Sequence, residues 1–262
     1  MAELLNITSK GEGLPIVLIH GWGLNSAVWL PLAESLKSTV KVISISLPGF
    51  GDNLEHSVEP YSLAEVSNLI VKSVNQPAIY LGWSLGGLIA TDIALRFPEA
   101  ALGLITVSSS PCFVAEDTWP GIEPEVLALF HRQLTKNTKK TVDNFLKIQA
   151  MGSETVRDDI KHIRQLVLQY EMPSEKTLSD ALLLLEKVDL REKLKNITVP
   201  FLRLYGGLDN LVPKKVIPLI SELAPNSQEV IFAKSSHAPF ISDPDSFLST
   251  LKTWLQSHFT GV

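Results

Sequence analysis

The stretch Gly82-Trp83-Ser84-Leu85-Gly86 lies between an apolar, β-prone run at residues 78–81 and a helical pattern at residues 88–95. Glycine on each side of the serine lets a strand and a helix pack close to the turn, because neither glycine carries a Cβ atom. In such a turn the serine hydroxyl lies at the edge of a sheet, and the next amide lies at the positive end of the helix. The alternative is a Gly/Ser turn without a function, but its position between a strand and a helix favours Ser84 as a nucleophile.

Length and composition are typical of one globular domain with a sizeable insertion. The chain has 262 residues, of which 45% are hydrophobic and 19% are charged, and its net charge is -5. This mild acidity argues against a general nucleic-acid binder, and we find neither a secretory signal nor an apolar run long enough to cross a membrane. The single cysteine, Cys112, excludes an internal disulfide, and no Cys/His cluster has metal-ligand spacing. We therefore expect a cytoplasmic protein without metal or cofactor, and we assign Cys112 no role.

Apolar runs alternate with helical patterns on both sides of Ser84. The continuous runs predict strands that are buried on both faces of a parallel sheet. Strands are predicted at residues 14–19, 40–45, 78–81, 102–107, 199–205 and 230–232, and helices between and after them at residues 27–36, 63–74, 88–95 and 244–255. Because ligands bind at the carboxyl ends of parallel strands, we expect the functional residues in the loops that follow them.

The alternation stops between residues 111 and 187, where the sequence predicts helices and no strand. The helices are expected at residues 125–134, 139–150, 154–170 and 174–185. We interpret residues 111–187 as an all-helical cap, inserted over the carboxyl ends of the strands between two parts of an α/β core, residues 1–110 and 188–262. The third helix carries an apolar stripe, which is expected to pack against another part of the protein. The alternative is that these helices pack only on one another.

Two loops after later strands carry the partners that a nucleophilic serine requires. His237 follows the last predicted strand, and Asp209 follows the strand before it. The histidine can accept the serine proton, and the carboxylate can hold the imidazole in the required tautomer. Two rival acids, Asp52 and Asp189, do not follow a strand in the required order. The order Ser84, Asp209, His237 is the one expected for this architecture, and we predict these residues as a catalytic triad.

A glycine-flanked loop, His20-Gly21-Trp22-Gly23, follows the first predicted strand. Glycine lets the backbone pass close to a ligand, so that the amide of Trp22 can point at it. Together with the amide of Leu85 it would form the oxyanion hole that acyl transfer needs. Without Ser84 the same loop would be read as an ordinary strand-to-helix connection. We expect His20 to orient the loop by hydrogen bonding rather than to act as a base.

Four motifs together resemble the α/β-hydrolase superfamily over nearly the whole chain. They are His20-Gly21-Trp22-Gly23, Gly82-Trp83-Ser84-Leu85-Gly86, Gly206-Gly207-Leu208-Asp209 and Ser236-His237-Ala238-Pro239-Phe240. The resemblance implies an α/β-hydrolase fold, with a mostly parallel central sheet flanked by helices and an inserted all-helical cap.

A narrower resemblance is to the pimeloyl-acyl-carrier-protein methyl ester esterases of biotin synthesis. It is carried by Trp22, Trp83 and the segments 201–206, 232–234 and 237–241. It implies hydrolysis of the methyl ester that masks the distal carboxyl group of a carrier-bound pimeloyl chain.

Two neighbouring cap helices carry a group of basic residues. The group consists of Lys139, Lys140, Arg157 and Lys161. An acyl-carrier protein is acidic, so the positive charge of these helices suits it. This charge and the family resemblance together favour the face as a carrier-docking site. The alternative is a solvated helix surface, since nearby aspartates dilute the charge, and Asn144 lies where the family carries a further cation. We expect apolar walls for the acyl chain at four residues, although a role in the core fits each equally well. These are Trp22, Leu24, Trp83 and Phe145.

Three hypotheses for the function remain open. The leading one is a monomeric serine carboxylesterase that acts on a small acyl ester attached to an acyl-carrier protein, without nucleic acid or membrane partners. The second is a general short-chain carboxylesterase with no preference for a carrier. The third is a ligand-binding protein with a vestigial triad. A serine at residue 84, rather than an aspartate, argues against dehalogenase or epoxide-hydrolase chemistry.

Overall fold

A single mostly parallel sheet lies at the centre of the protein. The computed structural model describes residues 3–151, 156–167 and 169–260. The strands in this part of the chain are β1 Ile7–Lys10, β2 Pro15–Ile19, β3 Lys41–Ile45, β4 Ala78–Trp83, β5 Ala101–Val107, β6 Phe201–Gly206 and β7 Gln228–Phe232. Their order in the sheet is β1-β3-β2-β4-β5-β6-β7, with β1 antiparallel to β3 and every other neighbouring pair parallel. The predicted mostly parallel sheet is confirmed.

The inner strands are short apolar runs that helices cover on both sides, which is typical of parallel strands. Every residue of β4 and of β6 is buried. The edge strand β1 has no such signal, because three of its four residues are exposed and its sequence, Ile-Thr-Ser-Lys, has one apolar side chain. For this reason its residues do not predict a strand.

Helices surround the sheet. Those of the described residues are α1 Leu30–Leu36, α2 Leu63–Val74, α3 Leu85–Arg96, α4 Pro124–Leu134, α5 Thr138–Ala150, α6 Val156–Val167, α7 Glu175–Lys187, α8 Ile217–Leu223, α9 Pro239–Ser242 and α10 Pro244–His258. The Ser62 hydroxyl caps α2 by accepting a hydrogen bond from the Glu65 N–H at 3.3 Å. The short helix α8 was not predicted.

Most predicted helix bounds shift by one to three residues, and two predicted helices differ further. Residues 27–36 were expected as one helix, but the chain first forms the 3-10 helix Ser26–Trp29, and α1 begins at Leu30. The cause is Pro31, which lacks an N–H group and therefore fits only the first turn of an α-helix. The helix expected at 154–170 is observed as α6, Val156–Val167, and the expectations for residues 154, 155 and 168 lie outside the described residues.

The hydrophobic core has two halves, one on each face of the sheet. Because side chains alternate along a strand, Val17 and Ile19 of β2 pack with residues of α2 and α3 on one face. Ile16 and Leu18 pack with residues of α1 and α10 on the other face. The sheet is therefore covered on both sides, and the loops at its carboxyl edge are left to form a site.

Helices α4 to α7 lie between β5 and β6 in sequence and cover the carboxyl edge of the sheet. They pack on one another, and α6 also packs on the 3-10 helix Ser26–Trp29 and on α9. The indole Nε1 of Trp22 donates a hydrogen bond to the Leu178 carbonyl of α7 at 2.9 Å. Nδ2 of Asn25 donates to the Val167 carbonyl of α6 at 3.2 Å. These contacts rule out the alternative that the helices pack only among themselves.

The two chain segments that lead into and out of these helices are joined. The Leu190 N–H donates to the Pro111 carbonyl at 2.9 Å, and Cys112 forms an antiparallel bridge with Asp189. Asp189 forms an ion pair with Arg191 at 2.6 Å, which occupies this rival carboxylate. Burial raises the pKa of the Cys112 thiol, and its Sγ donates to the Val114 carbonyl. This cysteine is therefore a protonated part of the joint.

A buried arginine ties β6 to β7 and α8. Arg203 is 1% exposed, and its Nε donates to Ser227 Oγ at 2.8 Å. Nη2 donates to Ser221 Oγ at 2.9 Å and to Glu229 at 2.8 Å, and Nη1 donates to the Tyr205 hydroxyl at 3.3 Å. A buried charge is tolerated only when it is paired and hydrogen-bonded in this way. The network fixes the strand that leads to Asp209.

Arg203→Met is expected to lower the free energy of unfolding by about 3 kcal/mol, because Tyr205 and three half-buried or exposed partners lose their donor. The figure is at the low end of the range for buried pairs, since the Glu229 side chain is 40% exposed. Urea unfolding measures the effect. Lys37→Met is the control, since it breaks an exposed pair with Glu34 and is expected to cost less than about 1 kcal/mol. Equal losses in the two variants would contradict a structural role for the network.

Candidate active site

Residues 82–86, which we call the elbow, join β4 to α3 through one residue. Ser84 has φ 55° and ψ -118°. A positive φ in a residue with a side chain is strained and costs roughly 1–3 kcal/mol. A Cβ atom on Gly82 would lie 2.0 Å from the Gly86 carbonyl oxygen, so the turn can form only with glycine there. The predicted strand–turn–helix is confirmed.

Asp209 and His237 form a buried hydrogen-bonded pair in the loops after β6 and β7. Their Oδ2 and Nδ1 atoms are 2.8 Å apart. The other carboxylate oxygen, Oδ1, accepts from the N–H groups of Leu211 at 2.8 Å and Val212 at 3.1 Å. The carboxylate is therefore fixed on both sides, and the histidine donates from Nδ1. This tautomer leaves a lone pair on Nε2.

The Nε2 atom of His237 is buried and has no hydrogen-bond partner among the described residues. Ser84, at 1% exposed, belongs to the same enclosed site, but its Oγ makes no hydrogen bond to this nitrogen in the described structure. The two residues are linked through Trp83, whose Nε1 donates to the His237 carbonyl at 2.7 Å and whose ring centroid is 5.7 Å from that of the imidazole. Such a proton-transfer contact often closes only when a substrate binds.

Two backbone amides flank the Ser84 side chain. Leu85 is the first residue of α3, so its N–H has no partner within the helix. Trp22 lies in the loop after β2, and this loop passes close to the elbow, since a Cβ atom on Gly21 would lie 3.2 Å from Ser84 Cβ. Within the described part of the chain, neither amide donates a hydrogen bond. The arrangement can accept a negatively charged oxygen.

His20 is buried beneath the loop that carries Trp22. Its Nε2 accepts from the Leu47 N–H at 2.9 Å, so Nδ1 carries the proton and donates to the Gly21 carbonyl at 2.8 Å. Burial lowers the pKa of this imidazole to about 4. A neutral ring with both nitrogens occupied agrees with a role in orienting the loop and not with that of a base.

A cleft of about 490 Å³ lies between α5, α6, residues 23–25 and residues 170–173. Of the four predicted wall residues, Leu24 lines it, and neither Ser84 nor His237 does. Trp22 packs instead on Phe145, with ring centroids 4.8 Å apart. Trp83 lies in the core against Trp29 and Phe240. The cleft therefore reaches the Trp22 loop at Gly23, and Ser84 and His237 are not among its lining residues.

The predicted basic residues are all exposed, but they do not all lie at the cleft. Lys139 and Lys140, at the start of α5, line it, whereas Arg157 and Lys161 on α6 do not. A fifth cation, Arg164, lines the cleft and pairs with Asp143. A smaller cavity is lined by both Lys140 and Asn144. The α5 side of the cleft thus carries two lysines and one aspartate.

Gln149 is a residue of the site that the sequence analysis missed. Its carbonyl oxygen accepts from the His237 N–H at 3.1 Å and from Ser236 Oγ at 2.7 Å. Its side chain is 1% exposed, and both amide atoms lack a partner among the described residues. A signal was present, because Gln149 lies at helical spacing from Val142 and Phe145 on the apolar face of α5.

Two further observations concern cofactors and membranes. In the described ranges, no group of three or more His, Cys, Asp or Glu side chains is arranged to hold a metal ion. No helix there combines the length and the hydropathy needed to cross a membrane.

The family of the chain follows from a comparison with known proteins. Residues 15–244 match the family model described as the alpha/beta hydrolase fold. Because this match covers most of the chain, the protein belongs to the α/β-hydrolase fold family. The predicted resemblance to this superfamily and the predicted hydrolase class are confirmed.

Solved structures of similar fold include two esterases. The esterase EaEST from Exiguobacterium antarcticum has a TM-score of 0.85 at 21% identity, over 96% of this chain and 95% of that chain. A thermophilic esterase from Thermogutta terrifontis has a TM-score of 0.81 at 23% identity, over 98% and 94%. MenH from S. aureus has a TM-score of 0.78 at 21% identity, over 96% and 98%. At these identities the likeness is one of fold.

The neutral His20 makes stability depend on pH. Its pKa is about 4 in the folded protein and about 6.5 in the unfolded chain. Between these values the unfolded chain binds a proton that the folded protein does not, so stability falls as the pH is lowered through this window. From pH 7 to pH 5 the loss is about 2 kcal/mol. In His20→Gln this part of the pH dependence is expected to vanish.

Urea unfolding at pH 7 and pH 5 measures the difference. His162→Gln is the matched control, because His162 is exposed and its ring is solvated in both states. The same pH dependence in wild type and His20→Gln would contradict the assignment.

Proposed function

We propose that the protein is a serine carboxylesterase with Ser84 as nucleophile, His237 as general base and acid, and Asp209 as the group that orients the histidine. The observation that carries this proposal is the strained Ser84 beside a buried Asp209–His237 pair whose Nε2 has no partner in the described structure. Strain of this kind persists only where the surroundings impose it, and it is concentrated at functional sites.

Acylation begins when Ser84 Oγ attacks the ester carbonyl carbon and its proton passes to His237 Nε2. A C–O bond forms, and the carbonyl oxygen becomes an oxyanion that accepts hydrogen bonds from the Trp22 and Leu85 amides. Each such donor is worth roughly 2.7–4 kcal/mol in comparable sites. The tetrahedral intermediate then expels the alcohol, which takes the proton from Nε2. Asp209 stabilises the imidazolium while it exists.

Deacylation repeats these steps with water. His237 Nε2 removes a proton from the water as its oxygen attacks the acyl carbon. The second oxyanion occupies the same two amides, and collapse releases the acid and returns the proton to Ser84 Oγ. No cofactor is needed, because proton transfer and charge stabilisation account for each step.

For the substrate we propose the methyl ester of a pimeloyl chain on an acyl-carrier protein. The sequence resemblance favours it, and the cleft supports it. The cleft has the size of a small-molecule site and leads to residues 23–25, next to the Trp22 amide. Its apolar residues suit a chain of methylenes, and Lys139 and Lys140 at its mouth suit an acidic carrier. In this reaction methanol is the leaving alcohol, and the distal carboxylate is the product.

A general short-chain carboxylesterase is the second candidate. It is favoured by the pairing of Arg164 with Asp143 and by Asn144 in the place of a cation, both of which weaken the positive charge around α5. Two neighbours of similar fold are named esterases without mention of a carrier.

Replacing the nucleophile tests the reaction class. Ser84→Ala is expected to lower kcat for p-nitrophenyl acetate by at least about 10⁴-fold, because it removes the nucleophile. Asp209→Asn is expected to lower kcat by about 10⁴-fold, because His237 is then held in the wrong tautomer. Mass spectrometry of the fluorophosphonate-treated protein should find the adduct on Ser84. Turnover that survives in folded Ser84→Ala would refute Ser84 as the nucleophile, and a folded wild type without turnover would favour a binding protein.

Charge reversal tests the carrier. Lys140→Glu combined with Arg157→Glu is expected to lower kcat/KM about tenfold for the carrier-bound methyl ester, because attraction to an acidic partner turns into repulsion. Turnover of free dimethyl pimelate, which carries no charge, should change far less. Methanol release measures both rates, and the difference should shrink at 1 M salt.

The matched control is Lys193→Glu combined with Lys195→Glu, an equal change of charge on exposed residues outside α5 and α6. If the ratio of kcat/KM for the carrier-bound ester to that for the free ester is the same in both double variants, the general esterase would remain as the function.

A further inference from the structure

The strained backbone of Ser84 is held by hydrogen bonds at both of its peptide groups. Its N–H donates to the Val107 carbonyl of β5 at 2.9 Å. Its carbonyl oxygen accepts from the Gly87 N–H at 2.9 Å and from Ser109 Oγ at 2.8 Å. Among the described residues, Ser109 therefore supplies the only side-chain hydrogen bond to the backbone of the nucleophile.

A second strained turn brings Ser109 to this position. Ser108 has φ 44° directly after β5, and its N–H donates to the Leu204 carbonyl at 2.8 Å. Ser109 is 4% exposed, and its side chain lies over Gly87, where a Cβ atom would come within 2.4 Å of it. The missing side chain at Gly87 thus gives the Ser109 hydroxyl access to the Ser84 carbonyl.

The carbonyl group that Ser109 binds and the Leu85 N–H belong to the same peptide group. A peptide group is planar and trans, so a bond that fixes the direction of its C=O also fixes the direction of its N–H. A hydrogen bond accepted by the carbonyl further polarises that N–H, because linked hydrogen bonds strengthen one another. The Leu85 amide is one of the two that the proposed mechanism assigns to the oxyanion.

We propose that Ser109 is a positioning residue of the oxyanion hole. Its hydroxyl orients and polarises the Ser84–Leu85 peptide group, so that the Leu85 amide donates more strongly to the charge of the transition state. This role rests on the proposed esterase function and adds a residue that does not touch the substrate. Because the oxyanion exists only in the transition state, the effect falls on kcat and not on KM.

The size of the effect follows from the worth of one oxyanion donor. Loss of such a donor lowers kcat about 10²–10³-fold. Cooperative strengthening accounts for roughly 10–30% of the free energy of a hydrogen bond, which for this donor is a factor of about two to eight. Ser109→Ala is therefore expected to lower kcat about two- to eightfold with KM unchanged.

The test compares Ser109→Ala with Ser110→Ala. Ser110 is a matched control because it is the next residue, is 5% exposed, and donates a 2.6 Å hydrogen bond to the Cys112 carbonyl, away from the elbow. The kcat and KM for p-nitrophenyl butyrate are measured per functional site, with sites counted by fluorophosphonate titration so that unfolded protein does not contribute. Affinity for a trifluoromethyl ketone, which forms a tetrahedral oxyanion on Ser84, is measured beside them.

We expect Ser109→Ala to lose the same factor in kcat and in affinity for the ketone, and Ser110→Ala to lose neither. Equal kcat values in the two variants, or a change in KM alone, would overturn the positioning role. Ser109→Cys keeps the approximate size of the side chain with a weaker donor, and it should lie between wild type and Ser109→Ala. If the alanine variant does not fold, a cysteine variant with the wild-type kcat overturns the role, and a lower kcat supports it.

A wild-type protein that does not hydrolyse esters would refute the proposed function itself. That outcome is separate from failure of the Ser109 role, which requires an active wild type and equal variants.

Discussion

The close approach of β4 and α3 is the constraint on which the site depends. A side chain on Gly82 would run into the backbone of α3, and one on Gly86 into the backbone at the end of β2, in each case less than 3 Å away. With both side chains absent, the chain reverses through Ser84 alone, and this single turn produces both the strain at the nucleophile and the unpaired amide of Leu85. The remaining groups come from loops after β2, β6 and β7, which a parallel sheet brings to the same edge.

The inserted helices turn this edge into an enclosed site. Ser84 and His237 are at most 1% exposed, and the end of α5 is bonded directly to the histidine loop through the Gln149 carbonyl. Where water is excluded, each hydrogen bond to a developing charge is stronger than it would be in solution. The cleft beside the Trp22 loop does not have Ser84 or His237 in its lining, so the proposed recognition of the substrate in the cleft and the proposed chemistry at Ser84 involve different residues.

The sequence predicted what local patterns determine and missed what tertiary contacts determine. The elbow and the sheet could be predicted because glycine spacing and apolar runs are local signals, and the pairing of Asp209 with His237 because chain order fixes which loops meet. The edge strand β1 escaped because its stability comes from pairing with β3 and not from its own apolar residues. Gln149 and Ser109 were not predicted, because their roles come from tertiary hydrogen bonds. Gln149 binds the loop that carries His237, and Ser109 binds the Ser84 carbonyl, and residue spacing does not predict either contact.

Trp22 carries two attachments at once. Its backbone lies in the loop that passes close to the elbow, while its indole is hydrogen-bonded to the Leu178 carbonyl of α7. A large shift of this loop relative to α7 would therefore break that bond. Helix α7 and the loop after β2 are thus joined, although the bonded residues are 156 positions apart in sequence. A substitution that moves α7 is therefore expected to move the loop that carries Trp22 as well.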